Sequence, residues 1–297
     1  MTEVMRRAPA AFDRRALAGE AMRAALAARA RAKLGQHSPI CIYGLCDALG
    51  VTVRFNKINM EGMYQRGNPP RIHLSANRPL VRRAYNCAHE LGHHIFGHGS
   101  SIDELREDAK DDPWNDPKEF LADVFAGFAL MPTIGLRRAF TARGWTPETA
   151  TAAQIYLIAC DFGVGYGTLL THLSASVEMI SRARAAALGR IKLKALRMEI
   201  VGTLTPHPLI VADRRRPSPT IDAEVETLLL LPPGTVISGN LLVYQRDVTE
   251  GRLFRAIRPG IIQASAEAGA WAAFVRIAPK NYVGLAQYRH LEDDPDE

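Results

Sequence analysis

The chain has 297 residues, of which 47% are hydrophobic, 23% charged and 7% aromatic. These are ordinary globular values, so they exclude an intrinsically disordered chain, a collagen-like fibre and a coiled-coil rod. The formal net charge of +6 favours an anionic partner without identifying it, because net charge bears on association and not on fold.

Neither a membrane helix nor a secretory leader is predicted. No apolar run approaches the roughly 18 residues that a membrane helix needs, and no signal-peptide core follows the Arg-containing N-terminus. The four cysteines form no C-x-x-C pair, which at this chain length predicts reduced thiols instead of a disulfide scaffold. We therefore expect a cytoplasmic protein without a membrane partner.

The first part of the chain predicts helices around a pair of short strands. Residues 12–34 are rich in Ala and Arg, with leucines at helical spacing, and predict an amphipathic helix. Ser38-Pro39 is a typical helix start and Gly50 a typical stop, so a second helix is expected over 38–50. Residues 51–55 alternate apolar and polar side chains as a half-buried strand does, and 71–74 is a candidate partner strand.

Two further helices, 79–97 and 118–131, are expected on either side of an acidic segment, 101–116. Pro79 suits the first position of its helix, and Pro132 marks the end of the second. The acidic segment is either a cover over a cleft that meets a basic substrate or a solvated connector. The sequence leaves both interpretations open.

The predicted secondary structure changes from helices to short strands and turns near residue 200. Residues 147–161 and 166–173 predict two helices joined by a Gly-containing turn, and a longer helix is expected over 176–198. Short apolar or β-branched runs, separated by Pro-Gly turns, then predict strands at 201–203, 228–231, 236–237, 241–244 and 274–277.

Residues 89–93 read His-Glu-Leu-Gly-His, an H-E-x-x-H motif. On a helix, residues four apart lie on one face, so both imidazoles reach one ion and Glu90 stands beside its open position. Zn²⁺ suits two neutral histidines and a carboxylate, because one coordination site remains for water. The ion then activates water and polarises a carbonyl, while Glu90 takes the proton and passes it to the leaving amine. The alternative is an ordinary helix whose histidines pack or face water.

A third ligand is available at the start of the next helix. Glu119 and Asp123 share a helix face, so one carboxylate can bind the ion while the other accepts the free N–H of a ligating histidine. We assign ligation to Glu119 and orientation to Asp123, with the reverse as an alternative. A further alternative is a solvated acidic helix start, which the helix dipole favours. His94 and His98 are expected to be surface or packing residues.

Residues 88–93, Ala-His-Glu-Leu-Gly-His, are followed by Glu119, Ala122, Asp123, Phe125 and Ala126, and then by Leu130-Met131-Pro132. This combination resembles the ImmA/IrrE family of zinc metallopeptidases, which shows A-H-E-L-G-H, E-x-x-A-[ND]-x-F-A and L-[LM]-M-P. Departures at Ala84, Asn86 and Ala129 touch none of the candidate ligands. The resemblance covers about residues 35–175 and does not reach the C-terminal third.

The resemblance implies a minimal, gluzincin-like (zincin-type) peptidase fold that is mostly helical with a small sheet. It implies Zn²⁺ ligands at His89, His93 and Glu119 and a catalytic Glu90. It also implies a substrate class, since members of the family cut a cognate helix-turn-helix repressor and so release stress-response or mobile-element genes. Composition and spacing do not indicate that substrate.

Four segments are predicted for an α+β chain. They are an N-terminal helix (1–34), the H-E-x-x-H metallopeptidase domain (35–145), a helical segment resembling a helix-turn-helix (146–198) and a β-rich C-terminal domain (199–297). The last would suit a sensory or docking module such as a GAF-like fold, although its residues show no ligand signature.

Two rival functions remain at this point. The hairpin 154–173 and the basic run 182–216 favour a DNA-binding regulator, although residues 166–173 contain no Arg or Lys for phosphates and guanine. A hairpin packed on the peptidase core and a solvated basic face are the alternatives for these two segments. In the second rival function, the chain is a sensor or an antitoxin-like partner, and its metal site is structural or inactive. We expect a metallo-endopeptidase that acts on a protein substrate.

Overall fold

The computed structural model of the chain describes residues 12–103, 116–266 and 269–291. Within these ranges, helices dominate up to residue 201 and short strands dominate from residue 209 onward, which confirms the α+β class. Most of the acidic segment that was considered as a cover for a cleft, 104–115, lies outside the described residues.

The helices are α1 (Arg14–Arg31), α2 (Ile42–Ala48), α3 (Leu80–Ile95), α4 (Pro117–Leu130), α5 (Thr133–Thr141), α6 (Ala152–Phe162), α7 (Tyr166–Thr171), α8 (Arg182–Gly189) and α9 (Leu193–Val201), with a π-helical turn at His172–Ser176. The strands are β1 (Thr52–Asn56), β2 (Gly62–Gln65), β3 (Arg71–Ser75), β4 (Ser101–Asp103), β5 (Leu209–Val211), β6 (Thr220–Glu224), β7 (Leu228–Leu231), β8 (Val236–Ile237), β9 (Leu242–Val248), β10 (Gly251–Ala256), β11 (Gly260–Ala266), β12 (Trp271–Ala278) and β13 (Gly284–Leu285).

The first sheet has the strand order β13-β1-β3-β2-β4. β1 and β3 pair in parallel, which confirms the partner predicted at 71–74. β2 pairs antiparallel with β3, and β13, from the end of the described chain, pairs antiparallel with β1. Strand β13 therefore completes the sheet of the predicted metallopeptidase domain (35–145), called the first domain below.

The remaining strands form two four-stranded sheets, ordered β5-β7-β10-β9 and β6-β12-β11-β8. Their inward faces share a core that includes Leu229, Phe254 and Val275. The β-rich texture predicted after residue 200 is present, but the strand predicted at 201–203 is wrong. Val201 ends α9, and Gly202 caps that helix in the left-handed conformation, with φ +75°.

Helices α3 and α4 pack closely, and this contact positions the candidate site. Nearly all of α4 is buried from Phe120 to Leu130. A Cβ at Gly92 would lie 2.9 Å from the Cα of Ala122, so only glycine lets the two backbones approach this closely. The second turn of α4 is thereby held against the C-terminal half of α3.

The predicted helix at 38–50 starts later than expected, at Ile42. The reason lies in Arg29, whose buried guanidinium donates hydrogen bonds to the carbonyls of Gly35, Ser38 and Ala129. The Ser38 carbonyl is thus used by a side chain, and the residues before Ile42 stay outside the helix. Helix α6 likewise starts at Ala152 and not at 147, because Thr151 and Gln154 form a reciprocal capping box.

The single helix predicted over 176–198 is wrong. The π-helical turn ends at Ser176, and α8 then begins at a new cap, where the Ser181 hydroxyl accepts a hydrogen bond from the Arg184 N–H. A break follows before α9 starts at Leu193. Two short helices therefore replace the long one, because local capping interrupts a stretch whose composition is helical throughout.

The helix-turn-helix-like hairpin packs against the first domain. Gly163 ends α6 with φ +63°, as the predicted turn requires. In the second helix the side chains of Tyr166, Leu169 and Leu170 are buried. Just beyond it, His172 lies 2.9 Å from the Met131 carbonyl at the end of α4. These contacts favour a hairpin that belongs to the core.

The stretch Pro117–Thr141 is long and apolar enough, by length and composition alone, to span a membrane. Its most apolar window is 78% buried inside the protein. Burial of that extent is typical of a core helix, and α4 holds this position between α1 and α3.

Candidate metal centre

Three potential ligand groups from α3 and α4, the imidazoles of His89 and His93 and the carboxylate of Glu119, form a small triangle. His89 Nε2 and His93 Nε2 lie 3.1 Å apart. One Glu119 oxygen lies 3.3 Å from His89 Nε2, and the other lies 3.6 Å from His93 Nε2. The helix pitch brings the two imidazoles together, and the α3–α4 contact brings the carboxylate to them. The sequence-predicted set therefore meets at one point.

The triangle fits Zn²⁺ in both size and chemistry. Ligand atoms about 2.0–2.1 Å from a tetrahedral ion are separated by about 3.3–3.4 Å, close to the three distances seen here. Two imidazoles and one carboxylate are also the donors of hydrolytic zinc sites, which keep a fourth position open. His93 is 2% exposed, whereas His89 and Glu119 are 13% and 27% exposed, so the site borders solvent on one side.

Electrostatics favour a charged Glu119. Hydrogen bonds from His89 and His93 hold the pKa of this carboxyl well below its usual value, although partial burial acts in the opposite direction. A carboxylate that stays ionised is the form in which a cation is bound.

Asp123 lies on the other side of His89. Its Oδ1 is 3.8 Å from His89 Nδ1, which is longer than a hydrogen bond. The Tyr85 hydroxyl, one turn before His89 on α3, donates to the same oxygen at 2.8 Å. Burial, and then the neighbouring Asp123, raise the pKa of Tyr85, so the phenol keeps its proton. This geometry agrees with orientation by Asp123 and ligation by Glu119, and both roles stay predictions.

His98 holds a position that sequence reasoning missed. Its Nδ1 lies 3.0 Å from His93 Nδ1, on the side of that ring opposite the triangle. The contact follows from the end of α3, where Gly97 has φ +65° and the His98 N–H bonds to the His93 carbonyl. Gly97 was the available sequence signal for this contact. A glycine in the left-handed conformation ends a helix and turns the next residue, here His98, back onto the last helical turn. His94, by contrast, pairs with the Tyr64 hydroxyl at 2.9 Å.

Glu90 is fully buried next to strand β2. A Cβ at Gly62 would lie 2.8 Å from Glu90 Oε1 and 3.0 Å from its Cγ. The strand therefore lies directly against the carboxylate side chain, and a residue larger than glycine at this point would displace it. The sequence carried no signal for this contact.

Two histidines on one helix, a glutamate from the next and an adjacent small sheet define the class, a metallopeptidase-type domain. Residues 46–174 match the family model Peptidase_M78, described as the IrrE N-terminal-like domain. This part of the chain is therefore similar to the ImmA/IrrE family, which confirms the resemblance predicted from residues 88–93 and 119–132. No curated protein gives a significant match to the chain.

Proposed function

We propose that the chain is a zinc-dependent endopeptidase that hydrolyses a peptide bond in a regulatory protein. The observation that carries this proposal is the triangle of His89, His93 and Glu119. The two Nε2 atoms lie 3.1 Å apart, and the two Glu119 oxygens lie 3.3 and 3.6 Å from them, distances that suit one tetrahedral ion. The match of residues 46–174 to a peptidase family model supports the same reaction.

His89, His93 and Glu119 would hold the metal. Asp123 would orient the imidazole of His89 and His98 that of His93, each at the Nδ1 atom that faces away from the metal. When bound, Zn²⁺ supplies Lewis-acid chemistry, lowering the pKa of water and polarising a carbonyl. A partner at the second ring nitrogen fixes the tautomer that leaves Nε2 free to ligate. His98 and Asp123 thus act through the ligands and do not touch the reacting atoms.

Glu90 moves the proton. It follows His89 directly on α3, and the close contact with Gly62 restricts where its carboxylate can lie. As the general base it takes a proton from the attacking water while the new C–O bond forms. It then delivers that proton to the amine nitrogen as the C–N bond breaks, so the products are a carboxylate and a free amine.

The substrate that we propose is a helix-turn-helix transcriptional repressor, whose cleavage would derepress stress-response or mobile-element genes in the cytoplasm. This finer assignment is supported by the family resemblance of residues 88–93 and 119–132. The packing of α7 against the first domain leaves the hairpin in the core, so it does not favour the rival in which this hairpin binds DNA.

The decisive experiment compares the wild type with Glu90→Gln on a proteome-derived peptide library, with zinc content measured on both. We expect equal zinc and a loss of cleavage on the order of 10²–10⁴-fold in the variant, the size of a general-base contribution. Zinc without cleavage in either protein would support a structural or inactive site. Equal cleavage by both would exclude Glu90 as the base.

The repressor assignment is tested separately. Each helix-turn-helix repressor encoded in the same genome is incubated with the zinc-loaded wild type, and new N-termini are identified by mass spectrometry. One repressor cut by the wild type and left intact by Glu90→Gln supports the assignment. Library cleavage without cleavage of any repressor would retain the peptidase and reject this substrate class.

A further inference from the structure

A partly enclosed cavity lies where the IrrE-like domain meets the C-terminal strands. Its volume is about 200 Å³. Its walls come from the segment before α2, the first turns of α3, the end of α6 and strands β5, β6 and β12. Neither Glu90 nor any of the three candidate ligands lines it, so it is separate from the metal centre.

Most of the wall is apolar, and the space is large for a protein interior. The apolar side chains include Ile40, Leu80, Val81, Leu130, Val164 and Leu209. Cores normally pack with few voids larger than a water molecule, whereas an apolar cavity of about 150 Å³ is enough to bind benzene. The space here therefore admits a molecule with one ring and a short substituent.

Two buried donor atoms without a hydrogen-bond partner in the described part of the chain belong to residues of this wall, whereas the buried acceptor Asp161 Oδ2 is ion-paired with Arg143 at 2.7 Å. Tyr43 Oη and Arg216 Nε are both buried and have no hydrogen-bond partner within the described ranges. Arg216 Nε can only donate, and a phenol hydroxyl donates readily. Buried donors are destabilising while unsatisfied, so an occupant that offers an acceptor would be favoured over a purely apolar one.

The charged groups of the wall already neutralise each other. Arg276 makes a bidentate contact with Asp222, at 2.6 and 2.7 Å. Arg216 lies 3.4 Å from the buried Asp161 carboxylate. With two cations and two carboxylates paired in this way, a charged occupant would bring an uncompensated charge into a buried site. The wall therefore favours a neutral molecule.

We propose that this cavity is a binding site for a neutral, mostly apolar small molecule of about one aromatic ring that carries a carbonyl-type acceptor. The acceptor meets the donors of Tyr43 and Arg216, and the ring fills the apolar part. Ala84, on the wall, lies on α3 five residues before His89. An occupant therefore contacts the same helix that carries the metal centre.

The test uses the full chain and three probes of similar size: acetophenone, ethylbenzene and benzoate. Binding is measured by ligand-observed NMR and calorimetry, so no peptidase activity is needed. We expect acetophenone to bind about 2- to 10-fold more tightly than ethylbenzene, the effect of a hydrogen bond to a buried donor, and benzoate to bind weakest. In Tyr43→Phe this preference should shrink, because one donor is removed without a change in ring shape.

Ala84→Leu places three extra carbon atoms in the cavity and should abolish binding of both neutral probes. Ala187→Leu adds the same volume at an exposed position of α8 outside the cavity and should leave binding unchanged. No binding of any probe to the wild type would mean a cavity that holds solvent only and would overturn the proposal. Equal affinity for the two neutral probes would overturn the acceptor assignment, and preference for benzoate would overturn the neutral class.

Discussion

Gly62 and Glu90 lie in such close contact that a methyl group on the first would stand 2.8 Å from Oε1 of the second. Strand β2 and helix α3 come from different parts of the first domain, and they meet at the residue proposed as the general base. The position of that carboxylate is therefore set by a backbone and not by a side-chain partner alone.

The first prediction concerns Gly62→Ala. The added Cβ must push Glu90 aside, and a displacement of about 1 Å in a reacting group can reduce the rate about 10²-fold. Peptide cleavage should fall by this order while zinc content is unchanged. Gly167→Ala is the matched control, because no atom lies within 4 Å of its added Cβ. Normal cleavage by Gly62→Ala would mean that the position of Glu90 does not depend on β2.

The second prediction concerns His98→Ala. Loss of the 3.0 Å contact to His93 Nδ1 frees the tautomer and orientation of that ring, and removal of such a partner typically weakens metal binding 10- to 100-fold. Zinc affinity is measured by competition with a chelating dye. His94→Ala serves as the control, since His94 bonds to Tyr64 and not to a candidate ligand. If both variants bind zinc as the wild type does, His98 has only a packing role.

The third prediction separates Glu119 from Asp123. Glu119→Gln should lose stoichiometric zinc, because the anionic carboxylate of the ligand triangle is replaced by a neutral amide that binds a cation weakly. Asp123→Asn should keep zinc with affinity lowered about 10- to 100-fold, as expected for a residue that orients His89. Metal content after dialysis and affinity by dye competition measure both effects. The opposite pattern would reverse the assignment of the two carboxylates.

The fourth prediction is a pH dependence of stability. Burial lowers the pKa of His172 to about 4 from 6.5. The folded protein then holds fewer protons on this ring than the unfolded chain does between these values. The stabilisation is complete above pH 6.5 and is lost as the pH falls towards 4, by up to about 3 kcal/mol.

This effect is measured by urea unfolding of the metal-free protein at several pH values, so that loss of zinc in acid does not contribute. His172→Gln should flatten the dependence between pH 6.5 and 4. His37→Gln, a change at an exposed histidine, should retain it. An unchanged slope in His172→Gln would contradict the prediction.

The fifth prediction concerns the ion pair between Arg83 on α3 and Glu224 on β6. The Arg83 side chain is 2% exposed and that of Glu224 is 15% exposed, so Arg83→Met leaves a largely buried carboxylate without its cation. The cost should be about 3–5 kcal/mol in the free energy of unfolding. The double variant Arg83→Met/Glu224→Gln should be less destabilised than Arg83→Met alone, and urea denaturation decides between these outcomes.

The sequence predicted most of the elements near the site because their signals are local. The helix that carries residues 89–93 and the helix that starts near Glu119 both appear within a few residues of their predicted bounds. Helix starts were less predictable at Ile42 and Ala152. The guanidinium of Arg29 decided where α2 begins, and the reciprocal cap of Thr151 and Gln154 decided where α6 begins.

The sequence by itself determined that His89 and His93 point to one place, because residues four apart on a helix share a face whatever surrounds them. Only the tertiary structure decided that Glu119 closes the triangle, that Gly62 confines Glu90, and that a cavity remains beneath the C-terminal strands. These features depend on how separate elements pack, and packing distances between elements leave no periodic signal in the chain.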